Sequence, residues 1–386
     1  MMKKYVVLAM DLGNLAAGIV FKRIITAMKN YADLDIICPN IDEEIWDCFN
    51  CIPCPKYKRL PYRIEKRLQD YQGYRISETY WAEHTYLKVQ SAVSRSGYNA
   101  ILSFVYAANF APLHLGRKLA KKTNLPWIIY SVDAIPAPIA WQPNEVLRNK
   151  LYRHLSKYIT KADAFFSANP IMMKYEKDTF AQFQGYSGVL LTPCDDKTTN
   201  THITEHHSTI TFLYAGCIYG PRNTNALLKG FEKFHDKQPQ SRLVFVGKLY
   251  NTDFTGFEYL LNSGAIERHD FTTNISDFYK KADILIDLNA DIRNDVFLSS
   301  KVCNYLSYNK PILTISQDGS PVRAMLTGME SVVHSHHNAE EIFTAMEKTA
   351  AMIGQSIDDR KELQHQFLPN EVAKKFCHEL EVVIEN

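Results

Sequence analysis

The protein has 386 residues, a formal net charge of +2 and a hydrophobic fraction of 46%. At roughly 150 residues per domain, this length predicts two domains rather than one. The charge gives no support for bulk nucleic-acid binding, and no run approaches the ~18 consecutive apolar residues that span a bilayer.

The first half of the chain alternates short apolar runs with helical patterns. In the N-terminal stretch MMKKYVVLAMDLG the apolar run ends at Asp11, which is too early for a signal-peptide core, so the stretch predicts the first strand of a cytoplasmic protein. Further strand candidates lie at residues 34–38, 100–105, 127–132, 163–167 and 189–191, with helical patterns at 19–30 and 113–122. Continuous apolar strands separated by helices predict a doubly wound parallel α/β sheet.

A polar stretch, DDKTTNTHITEHHS, interrupts this rhythm, and we expect residues 196–208 to form a linker between two domains. A second α/β series follows the stretch. Its strand candidates lie at residues 210–215, 243–246, 284–288 and 312–315, and its helical patterns at 224–234, 275–281 and 301–308, with a final amphipathic helix at about 371–384. Ligands of such sheets bind at the carboxyl ends of the strands.

The eight cysteines and the histidine clusters predict no metal site. Cys48, Cys51 and Cys54 form C-x2-C-x2-C, but Lys58 stands where an iron–sulfur run has its fourth cysteine. The histidines at 202–207 and 334–337 lack an H-E-x-x-H spacing.

A glycine loop with an arginine follows the strand candidate at residues 210–215. Gly216 ends the strand, and Arg222 stands just before the helical pattern. Glycine lets a backbone approach a ligand closely, and arginine binds phosphate oxygens in a bidentate way. A tight turn with an exposed arginine is the alternative.

The segment FLSSKVCNYLSYNKPIL, residues 297–313, combines a serine pair, a lysine and a short amphipathic helix. Ser299 or Ser300 is a candidate N-cap, which puts Lys301 in the first helical turn. A cation there opposes the positive end of the helix dipole, and a bound anion would offset that cost. The segment predicts a phosphate site at Lys301, against the alternative of a solvated surface lysine.

Two features of the first half of the chain also suggest a ligand. Gly13 and Gly18 form GNLAAG after the first strand, but Ile19 and Val20 stand where a P-loop has Lys and Ser or Thr, so a Walker A site is excluded. Asp133 follows the strand candidate at 127–132 and can accept a proton or hold a sugar hydroxyl. A turn or cap role for Asp133 is the alternative.

Residues 55–90 mix basic side chains with tyrosines and a tryptophan. This mixture suits an anionic membrane surface or a lipid–phosphate acceptor. An ordinary solvated helical face has the same composition, so both interpretations stay open.

The motifs YAG-x4-PRN, LVFVG, YKKADILIDL, SSK-x3-YL-x3-KPIL and DGSP follow one another within residues 209–321. In this order they resemble the GT-B glycosyltransferases, specifically the GT4-like branch that builds bacterial surface polysaccharides. The resemblance implies two Rossmann-like domains facing across a cleft, with residues 1–195 on the acceptor side and residues 209–366 binding the nucleotide sugar. It also implies that a C-terminal helix within residues 367–386 packs toward the first domain.

The resemblance further implies roles for individual residues. Those expected to bind the nucleotide sugar are Gly13, Gly18, Gly216, Arg222, Ser300, Lys301 and Asn304, and those expected to act in catalysis are Asp133, Lys301 and Arg222. Many relatives carry two glutamates in E-x7-E, but Val296 and Asn304 stand at these positions here, which would leave the ribose to an uncharged amide. No metal or other cofactor is required, because cationic side chains offset the charge of the leaving group.

The sequence thus predicts a cytoplasmic, retaining glycosyltransferase. It would move a sugar from a nucleotide-diphosphate sugar to a hydroxyl of a growing, lipid-linked surface glycan, in peripheral contact with the inner membrane surface. Two alternatives stay open: a nucleotide-sugar epimerase of the same fold, and a non-catalytic nucleotide- or glycan-binding relative. Nucleic acid is not an expected partner.

Overall fold

The structure, a computed structural model, describes residues 2–195, 209–250, 252–272 and 274–385. The chain divides into two compact units. The first unit comprises Met1–Pro193 together with Phe367–Asn386, and the second comprises Cys194–Gln366. The expected linker at residues 196–208 lies outside the described residues.

The first unit contains an α/β series followed by the C-terminal helix. Its strands are β1 (Lys3–Leu8), β2 (Ala32–Ile37), β3 (Asn50–Cys51), β4 (Ala100–Val105), β5 (Trp127–Ser131), β6 (Ala164–Ser167) and β7 (Tyr186–Val189). Its helices are α1 (Ala16–Met28), α2 (Glu43–Cys48), α3 (Tyr62–Gln72), α4 (Ile76–Arg95), α5 (Ala111–Thr123), α6 (Glu145–Ile159), α7 (Pro170–Thr179) and α15 (Pro369–Glu385).

In the described part of this unit the strands form one seven-stranded sheet, in the order β3-β2-β1-β4-β5-β6-β7. Neighbouring strands are parallel throughout. Helices cover both faces, so alternate residues of β1 enter different cores: Tyr5 and Val7 join one hydrophobic cluster, and Val6 and Leu8 join the other. Burial on both faces explains the continuous apolar runs in the sequence.

The C-terminal helix α15 completes one of these two cores. Its buried residues Val372, Phe376 and Leu380 belong to the same cluster as the strand residues of β1. The Phe376 ring packs edge-on against Phe166, with 4.9 Å between ring centroids, and lies 6.5 Å from Phe104. The last segment of the chain is thus part of the first unit.

The second unit repeats the α/β pattern. Its strands are β8 (Ile210–Ala215), β9 (Ser241–Val246), β10 (Ile266–His269), β11 (Ile284–Leu288), β12 (Ile312–Ile315) and β13 (Val332–Ser335). Its helices are α8 (Asn225–Lys237), α9 (Glu258–Asn262), α10 (Ile275–Lys281), α11 (Ser300–Tyr305), α12 (Pro321–Leu326), α13 (Ala339–Ala350) and α14 (Lys361–Gln366). Over the described residues the strands form a six-stranded parallel sheet in the order β10-β9-β8-β11-β12-β13.

The predicted α/β fold with parallel sheets is confirmed, and the strands at 100–105, 210–215, 284–288 and 312–315 have the predicted bounds. The prediction of a strand at 189–191 was wrong, because the strand there is β7 (Tyr186–Val189). Its Gly188 packs against the Phe166 ring and supplies no apolar side chain of its own. The strands β3, β10 and β13 were not predicted. They are short, and all three lie at sheet edges, where a continuous apolar pattern is not needed.

Candidate functional site

The predicted phosphate residues gather where the strand order of the second sheet reverses. Chain connections run from β8 outward to β9 on one side, and the later strands begin with β11 on the other side. Such a switch point leaves a crevice at the carboxyl ends of the two strands, where α/β sheets bind ligands. Gly216 and Arg222 lie in the loop after β8, and Lys301 lies in α11, the helix after β11.

Gly216 has close neighbours on two sides, Lys301 and Gly247. Its backbone has a φ of +143°, which L side chains rarely adopt. A Cβ atom at this position would lie 2.7 Å from Cδ of Lys301. A Cβ atom on Gly247, after the adjacent strand β9, would lie 2.5 Å from the carbonyl oxygen of Gly216. The two glycines therefore allow the strand ends and the Lys301 side chain to pack closely.

Lys301 is a half-buried cation that no described side chain holds by a hydrogen bond or ion pair. Its Nζ lies 5.2 Å from the centroid of the Tyr214 ring. Burial, followed by the charge of Arg222, lowers the pKa of Lys301 to about 8, while Asp287 acts in the opposite direction. An ammonium placed beside a second cation, with free donors, is suited to bind an anion.

Arg222 is the second cation of the site and is only 9% exposed. Its guanidinium lies 5.0 Å from the centroid of the Tyr219 ring, within the range of a cation–π contact. Burial lowers the pKa of Arg222, but the neighbouring Tyr214, Tyr219 and Asp287 outweigh it and leave the pKa raised. Arg222 is therefore a permanently charged, largely desolvated group.

The helix that carries Lys301 is shorter than predicted. It spans Ser300–Tyr305, so the predicted extension to residue 308 was wrong. Ser299 is at the N-cap position, but its side chain makes no capping hydrogen bond, and its buried hydroxyl has no partner among the described residues. Ser300 is exposed. The helix is anchored by Tyr305, whose hydroxyl donates to the carbonyl oxygen of Ile286 at 3.1 Å.

Asn304, the predicted ribose ligand, has an intramolecular partner. Its Oδ1 accepts a hydrogen bond of 2.9 Å from the N–H of Asp195, at the start of the second unit. Val296, at the other position of the glutamate pair, is buried. The carboxylate next to it, Asp295, is also buried and accepts the N–H of Val296 at 2.8 Å.

Asp287, the fourth residue of β11, was not predicted as a site residue. Its side chain is 0% exposed, and its Oδ2 accepts a hydrogen bond of 2.7 Å from Nδ2 of Asn289. Its Oδ1 has no hydrogen-bond partner in the described part of the chain. The one available signal was a carboxylate inside the otherwise apolar strand ILIDL.

The candidate residues of the first unit lie at the carboxyl edge of its own sheet. Asp133 follows β5, and its Oδ2 accepts the N–H of Ala107, in the loop after β4, at 3.0 Å. Gly13 has a φ of +110° and packs against the carboxylate of Asp42. Gly18 lies inside helix α1 rather than in the preceding loop, and a Cβ there would meet the Asp11 carboxylate.

No group of three or more His, Cys, Asp or Glu side chains among the described residues is arranged to hold a metal ion. None of the described helices combines the length and the apolar character needed to cross a membrane.

No family model matches the sequence, and no curated protein matches it. Solved structures do match over nearly the whole chain. HepE from Anabaena in complex with UDP and glucose has a TM-score of 0.63 at 12% identity, covering 98% of this chain and 100% of that chain. A glycosyltransferase from Rickettsia africae has a TM-score of 0.64 at 11% identity, covering 100% and 99%. The lipopolysaccharide outer core galactosyltransferase WaaB, without ligand, has a TM-score of 0.63 at 13% identity, covering 99% of both chains. The chain thus has the two-domain α/β fold of the GT-B glycosyltransferases.

Proposed function

We propose that this protein is a glycosyltransferase that transfers a sugar from a nucleotide-diphosphate donor to a hydroxyl acceptor. The observation that carries the proposal is the pair of buried or half-buried cations, Arg222 and Lys301, at the strand switch point of the second sheet. HepE has been solved in complex with UDP and with UDP-glucose, which supports a nucleotide sugar as the donor class.

The proposed chemistry follows from the charges. Breaking the bond between the sugar and the diphosphate leaves negative charge on the departing phosphate oxygen. Lys301 and Arg222 would stabilise that charge, and their low exposure makes the interaction stronger than in bulk water. Ser300 and the backbone at Gly216 would bind the diphosphate beside them, and Asn304 would bind the ribose after releasing the N–H of Asp195.

The first unit would bind the acceptor. Asp133 lies at the carboxyl edge of its sheet and would orient the acceptor hydroxyl or the transferred sugar. Gly13, in the loop after β1, and Gly18, within α1, keep their proposed role in binding the nucleotide sugar. The finer proposal is a retaining transfer to a lipid-linked surface glycan, in which the anomeric configuration of the product, read by NMR coupling constants, matches that of the donor.

The test of the donor site is Lys301→Ala, assayed with a panel that begins with UDP-glucose and UDP-galactose. Turnover should fall by about a hundredfold or more, as for the removal of one group that stabilises transition-state charge. The control is Lys281→Ala, an exposed lysine of α10 in the same unit. Wild-type turnover of folded Lys301→Ala on a verified donor would rule out the assignment, and release of nucleoside diphosphate separates transfer from epimerisation.

The proposal assigns charge compensation to side chains, so it requires no metal ion. Turnover should therefore persist in the presence of EDTA. A loss of turnover in EDTA that Mg²⁺ or Mn²⁺ restores would contradict this part of the proposal.

A peripheral membrane contact of the first unit is also proposed, on helices α3 and α4. Large side chains there are strongly exposed, with Tyr62 at 74%, Ile64 at 53%, Tyr71 at 81%, Tyr80 at 64% and Leu87 at 67%. Exposed basic residues of α3, Arg63, Lys66 and Arg67, accompany them. Aromatic and basic side chains together suit an anionic bilayer.

Cosedimentation with vesicles tests this contact. Vesicles with about one third anionic lipid should bind the wild type, and vesicles of neutral lipid should bind it less, because part of the attraction is electrostatic. The variant Tyr62→Ser/Tyr71→Ser should bind less than the wild type. Equal binding of both proteins to both vesicle types would remove the membrane from the proposal.

A further inference from the structure

The loop that carries Asp133 is bound by helix α7. The backbone N–H of Ile135, two residues after Asp133, donates to Oε1 of Glu176 at 3.0 Å. The hydroxyl of Tyr175, the preceding residue of α7, donates to the carbonyl oxygen of Pro136 at 2.8 Å. Two consecutive residues of one helix therefore bind two consecutive residues of this loop.

Glu176 also connects the loop to the neighbouring strand. A hydrogen bond joins its Oε2 to the hydroxyl of Ser167, the last residue of β6. Ser131, the last residue of β5, is the strand partner of Ser167, and its hydroxyl donates to the carbonyl oxygen of Asp133 at 2.5 Å. The two strand ends and α7 therefore fix the backbone around Asp133.

Glu176 is a buried carboxyl without a cationic partner. It is 0% exposed, and none of the described lysine, arginine or histidine residues forms an ion pair with it. Burial raises the pKa of Glu176 well above its ordinary value, against the hydrogen bonds from Ser167 and Ile135, and the charge of Asp133 raises it further. A buried carboxyl without a counter-charge avoids the cost of a buried ion by staying protonated.

Asp133 differs from Glu176 in its surroundings. Asp133 is half-buried, and its Oδ2 accepts the N–H of Ala107, in the loop after β4. A neutral Glu176 holds the same loop through Ile135 without placing a second negative charge beside Asp133. The negative charge at this end of β5 is then left to Asp133.

We propose that Glu176 is a positioning residue of the acceptor site, which fixes the backbone of the Asp133 loop through Ile135 while staying uncharged. Its importance for catalysis rests on the proposed function, in which Asp133 orients the acceptor hydroxyl or the transferred sugar. Because Glu176 is fully buried, it acts through Asp133 and not on the substrate itself. A small displacement of an orienting group is enough to slow a reaction.

Hydrogen–deuterium exchange of the free protein tests the contact, and it needs neither donor nor acceptor. Glu176→Met removes both hydrogen bonds but keeps a side chain of similar length. The peptide that contains residues 133–137 should then exchange about tenfold faster than in the wild type, or more. Glu176→Gln keeps an uncharged group with an acceptor and a donor, so this peptide should exchange as in the wild type. Wild-type exchange of the peptide in Glu176→Met overturns the proposal.

Glu65→Met is the matched control for this measurement. Glu65 is 5% exposed and likewise accepts a backbone N–H, that of Leu60 at 3.0 Å, and a serine hydroxyl, that of Ser77 at 2.6 Å. In this variant exchange should become faster around Leu60 and stay unchanged at residues 133–137. Faster exchange at residues 133–137 in both variants would show a general loss of stability and would overturn the proposal.

Steady-state kinetics separate a positioning role from a purely structural one. Glu176→Met should raise the KM for the acceptor several-fold and leave the KM for the donor unchanged, whereas Glu176→Gln should keep the wild-type KM for the acceptor. Because both residues act through one loop, Glu176→Met/Asp133→Asn should differ from Asp133→Asn by less than about twofold. Additive effects of the two changes, or an equal rise of both KM values, would overturn the proposal.

Glu176→Asp takes the place of Glu176→Met where the latter does not fold, since it keeps the carboxyl and shortens the side chain by one methylene. It should change the exchange at residues 133–137 and the KM for the acceptor in the same direction, and wild-type values of both would overturn the proposal. If Asp133→Asn leaves the KM for the acceptor unchanged, the acceptor part of the proposed function is refuted, while the exchange measurement decides whether Glu176 holds the loop.

Discussion

The two sheets have the same strand order around their switch points, yet opposite charges lie there. In the first unit the switch falls between β1 and β4, and the loop after β1 contains a buried carboxylate, Asp11, which accepts the N–H groups of Asn14 at 3.0 Å and Leu15 at 2.8 Å. In the second unit the switch falls between β8 and β11, where Arg222 and Lys301 lie.

The difference shows that topology fixes where a ligand binds and that loop side chains fix which charge it carries. In the first unit, the Asp11 carboxylate accepts hydrogen bonds from the backbone of its own loop. In the second unit, the Lys301 side chain packs against Gly216, and its ammonium donates to no described residue. Five predictions test this contrast, and they are ordered by the size of the expected effect.

Gly216→Ala should have the largest effect. The added Cβ requires a φ near +143° and collides with Lys301 Cδ at 2.7 Å, so the ammonium must move. Turnover should fall by about a hundredfold. The control is Gly264→Ala, which has a φ of +77° and no atom within 4 Å of the added Cβ. Similar turnover in both variants would mean that backbone strain, and not the contact with Lys301, is responsible.

Arg222→Met should raise the KM for the donor and lower turnover by tens of fold, since a largely buried cation is lost. Arg222→Lys should recover only part of the loss, because an ammonium cannot bind phosphate oxygens in a bidentate way. The control Arg242→Met removes an exposed arginine that pairs with Glu267 at 3.1 Å. If steady-state kinetics give Arg222→Met the same KM for the donor and the same turnover as Arg242→Met, Arg222 is excluded from the site.

Binding of UDP should weaken above pH 8, by about tenfold per unit, because the site binds the anion best when Lys301 is protonated. Lys301→Arg should remove this dependence, since arginine stays charged. The effect of pH on stability has the opposite sign. Between about pH 8 and the ordinary pKa of 10.5, Lys301 is protonated in the unfolded chain but has lost its proton in the folded protein. The contribution of Lys301 to the free energy of unfolding therefore rises with pH in this range. Calorimetric titrations from pH 6.5 to 9.5 measure the binding.

Asp133→Asn should raise the KM for the acceptor by several-fold to about tenfold and leave the KM for the donor unchanged. Asp163→Asn is the control, because Asp163 also accepts a backbone N–H, that of Trp127 at 2.7 Å, but at the start of β5. An equal rise of both KM values would show that Asp133 acts on the fold of the first unit and not on the acceptor.

The smallest effect concerns Glu78 of α4, a buried carboxyl that accepts the N–H of Phe110 at 3.2 Å. Burial raises the pKa of Glu78 to about 8. Its stability contribution is therefore complete below pH 4.5 and is lost as the pH rises through 8. Glu78→Gln should match the wild type at pH 5 and unfold a few degrees higher at pH 9. The exposed Glu83→Gln should show no such pH-dependent gain in thermal denaturation.

The sequence predicted the central strands and the glycine–arginine loop after β8 because both have strong local signals. Strands such as β8 and β11 are buried on both faces and are continuously apolar apart from single polar residues. The edge strand β10 has the sequence IERH, with two exposed residues, and therefore shows no apolar run. Helix α11 ended early because the chain after Tyr305 turns toward β12, which helical periodicity alone does not reveal.

Asp287 shows what a linear pattern misses. A carboxylate within an apolar strand conflicts with the pattern, and nothing nearby in the sequence compensates its charge. The compensating cations are far away along the chain, in the loop after β8 and in α11, and come together only when β8 pairs with β11. The roles of Gly216 and Lys301 were predicted from motif order, but their direct contact was not, because it depends on the φ of Gly216.

The position of α15 has a consequence for biosynthesis. Its residues Val372, Phe376 and Leu380 fill a core whose other members come from the first part of the chain. A ribosome makes these residues after the whole second unit, so the second unit can fold on the emerging chain while the first still exposes an apolar face. Of the two units, the one whose translation begins first is then completed second, and a chaperone that binds apolar surfaces should associate with nascent chains that lack residues 367–386.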